Sequence, residues 1–156
     1  MYPKGIVQVL ETMQEILCAN DLAVLATCAE NQPHCSLMAY VPNEDCRTIY
    51  MLTQRDSRKF RNISANPRVS LMVDTRLDSP ESRTAIKALT ISGTCSPCPQ
   101  SMQKQFKQLL VQKHSQLKTL SAQKDAIVLE ITIKSFLLLD GIDNAYFVEL
   151  SGQQKL

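Results

Sequence analysis

The chain has 156 residues, and its 17 basic and 15 acidic residues give a formal net charge of +2. A charge this small does not favour a general nucleic-acid-binding protein, and no run of about 18 apolar residues is present to cross a membrane. Hydrophobic residues make up 44% of the chain although tryptophan is absent, so Val, Ile, Leu and Met must fill the core. We therefore expect a single domain over residues 1–156.

Six cysteines lie at positions 18, 28, 35, 46, 95 and 98. The N-terminus lacks the continuous apolar stretch of a signal peptide, so the thiols are expected to be reduced and the protein cytoplasmic. Cys95 and Cys98 have the spacing of a redox motif without its βαβ context, and we interpret them as incidental thiols. With only two histidines in the chain, we predict no metal site.

The predicted elements begin with a helix. Apolar side chains recur every three to four residues over 3–19, the pattern of a helix with one buried face. Short runs separated by turn-prone residues then predict three strands in an antiparallel meander. A short helix follows, with Ser57 as its N-cap and Asn66-Pro67 after its end. The three strands are residues 22–27, 34–41 and 47–53, and the short helix is residues 57–65.

The second half of the chain returns to alternating β patterns on either side of one longer helix. Its elements are a strand over 68–74, a loop over 76–84, a strand from about 85 to 94, a helix over 100–115 with Met102, Phe106, Leu109, Leu110 and Lys113 on one side, a strand over 127–134, a break at Gly141 and a last short strand over 145–150. Six or more antiparallel strands with few glycines favour a closed or partly closed barrel.

Hydroxyl and basic side chains cluster where the third strand meets the short helix. Thr53 ends the strand, Ser57 begins the helix, and Arg55, Arg58 and Lys59 flank that start. Cations in a first helical turn cost about 0.3–1 kcal/mol each unless an anion offsets them, so the pattern favours a phosphate site. The alternative is a solvated basic turn that pairs with neighbouring acids. No glycine-rich loop indicates a Rossmann or P-loop site.

Five short motifs occur in order over residues 22–75: Leu25-Ala26-Thr27, Gln32-Pro33-His34, Ile49-Tyr50-Met51-Leu52-Thr53, Ser57-Arg58-Lys59 and Asn66-Pro67-Arg68-Val69-Ser70-Leu71. At this spacing the chain resembles the pyridoxamine 5′-phosphate oxidase-like family of FMN-binding split barrels. The resemblance implies a mainly β fold, a six-stranded antiparallel split β-barrel of Greek-key type with N-terminal and inserted helices. It also implies a homodimer with FMN at the two-fold interface.

The resemblance further implies which residues contact the flavin. The second strand would lie alongside the isoalloxazine ring, largely through its backbone, and the head of the short helix would hold the phosphate. The fifth strand of the family often supplies an Arg-Gln pair before its glycine, where this chain has Lys87-Ala88 before Gly93. The implied contacts are Ser36, Leu37, Met38 and Ala39, then Leu52 and Thr53, then Ser57, Arg58 and Lys59, and finally Lys87.

One departure from the family narrows the expected activity. True pyridoxamine phosphate oxidases carry a C-terminal Trp-Arg-Leu-x-Pro signature, whereas this chain has Tyr146-Phe147-Val148-Glu149-Leu150 near its end. We therefore predict a flavin-dependent oxidoreductase that acts through flavin N5 on an unidentified small molecule, with catalytic residues unassigned. The partners are then a second copy and that small molecule, without nucleic acid or membrane.

Four alternatives remain open from the sequence. The cofactor can be a deazaflavin, which also carries phosphate. The chain can be a non-catalytic FMN-binding or electron-transfer protein, or a haem-binding or haem-degrading relative that uses His34 or His114. It can also be an interaction module without a cofactor.

Overall fold

We describe a computed structural model, which covers residues 4–78 and 80–150; the predicted helix start at residue 3 lies outside this range. Eight antiparallel strands curl into a half-barrel, with one helix before the first strand and three inserted between strands. The strands are β1 (Leu22–Ala29), β2 (Gln32–Ala39), β3 (Val41–Pro42), β4 (Thr48–Gln54), β5 (Arg68–Asp74), β6 (Lys87–Pro97), β7 (Ala126–Asp140) and β8 (Asn144–Glu149). The helices are α1 (Lys4–Ala19), α2 (Arg58–Ala65), α3 (Gln103–Lys113) and α4 (Lys118–Ser121).

The mainly β class and the split-barrel architecture are confirmed, with eight strands in place of the predicted six. The sheet order is β2-β1-β5-β6-β7-β4-β3, and β8 pairs with β7 at the edge. Strand β4 lies beside β7, the last strand of the β5-β6-β7 meander, which is a Greek-key connection. Val41–Pro42 pairs separately with β4 and was not predicted as a strand of its own, whereas Asn144–Glu149 pairs with β7 and matches the last short strand predicted over 145–150.

The predicted meander of the first three strands is wrong. The first two strands form a hairpin, but β4 pairs with β7 and not with β2. Tyr40 explains the break between β2 and β3, because its backbone N–H donates to the Asp21 carbonyl at 3.1 Å and its hydroxyl donates to the Leu17 carbonyl at 2.6 Å. These bonds hold the chain against the end of α1 and leave a seam between β2 and β4.

The register of the sheet separates a buried face from an exposed one. On the inner face, adjacent strands align five fully buried side chains in one row. The neighbouring row on the outer face is apolar but partly exposed. The inner row is Leu25, Leu71, Ile91, Phe136 and Val148, and the outer row is Leu37, Val24, Met72, Thr90, Leu137 and Phe147.

Strands β6 and β7 are longer than their sequence patterns indicate. Their ladder runs from Lys87 opposite Asp140 to Pro97 opposite Leu129, so the residues around Cys95 belong to a strand and not to a connection. The register shifts between Ser92 and Gly93, where Lys134 of β7 is the extra residue of a β-bulge, and the two strands remain paired on both sides of it. The predicted break at Gly141 is confirmed, with φ of 70°.

A second apolar cluster covers the outer side of β4 and β7. The rings of Tyr50 and Phe106 stack with centroids 3.8 Å apart, which places α3 over β4. The buried Gln103 amide accepts from the Val128 N–H at 2.9 Å and donates to the Val128 carbonyl at 3.1 Å. The helix predicted over 100–115 is a 3-10 turn followed by α3, and Lys113, predicted on its buried side, is exposed. No helix of the described residues is long and apolar enough to span a membrane.

Gly93 is required by the close approach of two backbones, which gives a first prediction. A Cβ at this position would lie 2.5 Å from the carbonyl oxygen of Thr132, a backbone atom that cannot move aside. We expect Gly93→Ala to lower the free energy of unfolding by about 1–3 kcal/mol, as overpacking does, measured by urea denaturation. Gly5→Ala is the control, because no atom lies within 4 Å of a Cβ there. Equal stability of the two variants would contradict the bulge geometry.

Candidate functional site

The seam between β2 and β4 forms a cleft of about 250 Å³. The end of β2, the end of β4 and the head of α2 meet there, and the segment around α4 closes one side. Seven of the ten predicted flavin contacts line this cleft, so the folded chain brings together residues that are distant in sequence. The lining residues are Leu37, Met38, Ala39, Leu52, Thr53, Gln54, Ser57, Lys59, Leu117 and Leu120.

The polar end of the cleft lies where β4 passes into α2. The hydroxyls of Thr53 and Ser57 are hydrogen-bonded at 3.1 Å. Ser57 is the N-cap of α2, as predicted, and its Oγ accepts from the Phe60 N–H at 3.3 Å. The first turn of a helix leaves amide groups that its own backbone does not satisfy. Hydroxyl groups and the positive end of a helix therefore point to the same place.

A buried hydrogen bond holds the head of α2 at the cleft. The Asn62 side-chain amide donates to the Thr27 hydroxyl of β1 at 3.0 Å, and both side chains are buried. Ile63 is buried beside Asn62 and packs into the barrel core. An amide without its partner in such a place would cost about 1–3 kcal/mol, so this contact orients the helix firmly.

Lys59 is the one titratable side chain that lines the cleft. Burial lowers its pKa below the usual 10.5, because a partly desolvated ammonium is disfavoured. Within residues 4–78 and 80–150 no acidic side chain forms an ion pair with it. The cleft therefore contains an ammonium that is partly removed from water and that has no acidic partner among the residues described.

The other predicted cations lie outside the cleft. Arg55 and Arg58 are exposed, and Arg61 donates to the Asp56 carbonyl. Their charges still contribute to the positive field at the head of α2, although at the surface this field is screened by salt. Arg58, a predicted phosphate contact, thus lies near the cleft but does not line it.

Leu117 and Leu120 form a wall that the sequence analysis did not assign to the site. They come from the 3-10 turn Ser115–Leu117 and from α4, and they face β2 across the cleft. The Gln54 side chain donates to the Gln123 side chain, and the Arg55 N–H donates to the Asp125 carbonyl at 3.0 Å. These bonds fasten the wall to the end of β4.

Two further predicted contacts lie away from the cleft. Ser36 is half-buried, and its hydroxyl is hydrogen-bonded to His34 Nε2 at 3.3 Å. Lys87 forms an ion pair with Asp140 at 3.6 Å, at the opposite end of β7 from the head of α2. Their roles as flavin contacts stay predictions.

Cys95, Cys98 and His114 do not form a second polar site. Cys95 lies in the barrel core and Cys98 in the cluster under α3, so the two thiols of the motif are buried apart. Burial raises the pKa of Cys95 to about 12. Buried His114 donates from Nε2 to the Tyr40 carbonyl at 2.8 Å. The described residues hold no group of three or more His, Cys, Asp or Glu side chains suited to a metal ion.

Comparison with known proteins follows from this geometry. A half-barrel with a partly polar cleft at its seam defines the chain as a split barrel. A family model described as pyridoxamine 5′-phosphate oxidase matches residues 9–140, and the chain therefore belongs to that family. It is also 42% identical over 71 residues to a Schizosaccharomyces pombe protein named a pyridoxamine 5′-phosphate oxidase homolog. That match covers 39% of this chain and 36% of the yeast protein.

Solved structures support the fold at lower identity. The heme binding protein from Mycobacterium smegmatis superposes with a TM-score of 0.80 at 15% identity, over 96% of this chain and 59% of that chain. General Stress Protein 26 from Bacillus anthracis superposes with a TM-score of 0.69 at 21% identity, over 92% of this chain and 99% of that chain. A FAD-binding protein from Mesorhizobium loti superposes with a TM-score of 0.66 at 22% identity, over 83% of this chain and 90% of that chain.

The depressed pKa of Lys59 gives a second prediction. The folded chain binds this proton less tightly than the unfolded chain, so the stability contribution of Lys59 rises with pH between its folded pKa and 10.5. Lys59→Gln removes that rise, and at neutral pH we expect the ligand-free variant to be at least as stable as the wild type. Urea denaturation near pH 7 and at about pH 10 measures the difference.

Lys104→Gln is the matched control, because Lys104 is exposed on α3. It removes the same charge without removing a desolvated group, so its effect on stability is expected to be small and similar at both pH values. A clear loss of stability in Lys59→Gln at neutral pH would mean that Lys59 has a structural partner.

Proposed function

We propose that the chain binds FMN in the seam cleft and acts as a flavin-dependent oxidoreductase on a small molecule. The observation that carries the proposal is the pairing of apolar walls at one end of the cleft with an unpaired, partly buried ammonium at the other. Family membership supports a flavin.

The polar end matches the chemistry of a phosphate monoester. Lys59 supplies the charge, the hydroxyls of Thr53 and Ser57 supply donors, and the head of α2 adds its dipole. A bound dianion would offset the desolvation of Lys59 and draw its pKa back up. A ligand without phosphate leaves this end of the cleft unsatisfied.

The apolar end suits a flat ring system. Leu37, Leu52 and Leu117 offer apolar contact, and β2 has a strand partner on one side only among the described residues. An unpaired strand edge exposes backbone N–H and C=O groups. Such groups can hydrogen-bond the heteroatoms along a flavin ring, in keeping with contacts made largely through the backbone of β2.

The size of the cleft supports a site completed by a second copy. Ligand pockets commonly measure about 300–1,000 Å³, and one protomer offers about 250 Å³. Leu37, 69% exposed, lines the cleft and also begins the apolar outer row, which includes Met72 at 44% and Phe147 at 63% exposure. Exposed apolar faces of this kind mark association surfaces. We propose that two copies meet on this face with flavin at the edge.

FMN held by Lys59, Thr53 and Ser57 would supply the redox chemistry of hydride or electron-pair transfer. The residues of this chain bind its phosphate, orient its ring and exclude water from one side of the cleft. Among the described residues of one protomer, Lys59 is the one titratable side chain that lines the cleft. The protein then serves as a positioning scaffold more than as an acid–base catalyst.

Haem is the second candidate, because two structural relatives are named for it, the heme binding protein from Mycobacterium smegmatis and the heme storage protein HutZ from Vibrio cholerae. Neither histidine of this chain lines the cleft. His114 is buried and hydrogen-bonded, so His34 is the more accessible ligand. These positions favour flavin over haem in this chain.

The contribution of the phosphate gives a third prediction. We expect FMN to bind the wild type more tightly than riboflavin by about 1.5–3 kcal/mol, roughly ten- to a hundredfold in Kd, because riboflavin lacks the phosphate. Lys59→Gln should remove most of this difference, whereas Lys104→Gln should retain it. Flavin fluorescence quenching measures the six affinities, those of three proteins for two ligands. Absorbance and mass analysis of freshly purified protein identify the native ligand.

Three outcomes would contradict the flavin proposal. Equal affinity of the wild type for FMN and riboflavin would mean that the polar end of the cleft does not bind the phosphate. A Soret band on haem addition that depends on His34, with no flavin bound, would favour the haem alternative. Bound FMN that no nicotinamide donor reduces and no acceptor reoxidises would indicate a carrier and not an enzyme.

The proposed interface gives a fourth prediction. Met72 lies on β5 in the middle of the apolar outer row, so Met72→Glu buries a charge if two copies meet there. We expect this variant to sediment as a monomer and to bind FMN more weakly, with unchanged secondary structure. Ile142→Glu, at the exposed turn before β8, is the control and should leave association unchanged. A wild type that is monomeric at high concentration would contradict this interface.

A further inference from the structure

A pair of thiols outside the cleft carries an inference that is independent of flavin binding. The Sγ atoms of Cys18 and Cys46 lie 3.3 Å apart. Cys18 lies in the last turn of α1, and Cys46 lies in the turn between β3 and β4, 28 positions along the chain. Two elements of the fold therefore meet at two sulfur atoms in contact.

The two thiols differ in their access to solvent. Cys18 is exposed and lines a surface cavity of about 300 Å³, together with Asp21 and Lys113, which a small oxidant can enter. Cys46 is only 3% exposed. Burial and the contact with Cys18 raise the pKa of Cys46 to about 12, so the exposed thiol is the one that reacts first.

Hydrogen bonds on both sides hold the sulfur atoms in place. The Tyr40 hydroxyl ties the Leu17 carbonyl, one residue before Cys18, to the start of β3. The Asn43 side-chain oxygen accepts from the N–H groups of Arg47 and Thr48 at 2.9 Å each, which fixes the turn that carries Cys46. The contact is thus a feature of two rigid elements and does not depend on flexible side chains.

We propose that Cys18 and Cys46 are an oxidation site that forms a reversible intramolecular disulfide when the chain meets a hydroperoxide. The Cys18 thiolate attacks the peroxide, the O–O bond breaks, and Cys18 becomes a sulfenic acid while water or an alcohol leaves. The Cys46 sulfur then attacks the Cys18 sulfur, the S–O bond breaks, and the Cys46 proton leaves with the hydroxide as water. Two thiols are oxidised and one peroxide is reduced by two electrons.

The disulfide would join α1 to the barrel. Without it, α1 is held by packing of its apolar face, which includes Met13 and Leu17 in the core. A cross-link between distant positions reduces the freedom of the unfolded chain, so the oxidised protein should melt at a higher temperature. A dithiol reductant should reverse the change.

The test treats the full-length protein with hydrogen peroxide, alkylates the remaining thiols after unfolding, and maps the peptides by mass spectrometry. We expect a Cys18–Cys46 linked peptide, the loss of two free thiols per chain, and a melting temperature several degrees higher than that of the reduced protein. Cys18→Ser should abolish the linked peptide and the thermal shift. Cys35→Ser, which removes another exposed thiol, should retain both.

Two results would overturn the proposal. One is oxidation of Cys18 to sulfinic acid while Cys46 remains free. The other is linkage of either thiol to Cys28 or Cys35, or to a second chain. Because Cys46→Ser changes a buried residue and can impair folding, the conclusion rests on the wild-type peptide map and on the exposed Cys18→Ser variant. Neither readout requires bound flavin.

Discussion

Tyr40 holds the chain against the end of α1 just after β2 ends. Without this contact, the chain could turn and form its next strand alongside β2. Its backbone N–H and its hydroxyl are both used in this contact, and the hydroxyl is buried. Because a buried hydroxyl without a partner costs about 1–3 kcal/mol, the contact is a strong local constraint. It separates β2 from β4 and opens the seam in which the cleft lies. The contact beside it, between Cys18 and Cys46, depends on the same junction.

The cleft illustrates a conflict between stability and binding. A fold selected for stability alone would leave Lys59 in water or give it an acidic partner, since desolvating an unpaired ammonium is unfavourable. Here the side chain is partly buried beside two hydroxyls, and α2 is anchored by the Asn62–Thr27 bond with this cation in its first turn. In the complex proposed above, the phosphate of FMN would offset this cost, and Lys59 would contribute more to binding than the exposed arginines around it.

Local patterns in the sequence predict much of this fold and less of its connectivity. The amphipathic spacing of α1, the Ser57 cap of α2 and the alternation in β5 are local signals, and all three elements form where expected. The pairing of β4 with β7 joins residues about eighty positions apart, and no local pattern distinguishes it from a meander. The length of β7 was missed for the same reason, since its second half is paired by β6 and β8 and is not marked by alternation.

The sequence likewise predicts one part of the candidate site and not the other. Its polar end lies within one strand-to-helix junction, where hydroxyls and cations close together in sequence are also close in space. The wall opposite β2 comes from residues 115–121, beyond the region where the family motifs are strong, and no motif in the sequence assigns its leucines to the site. The polar residues of the junction and the leucines of the wall thus belong to separate segments of the chain. In the FMN complex proposed above, the leucines could therefore change without loss of the phosphate contacts.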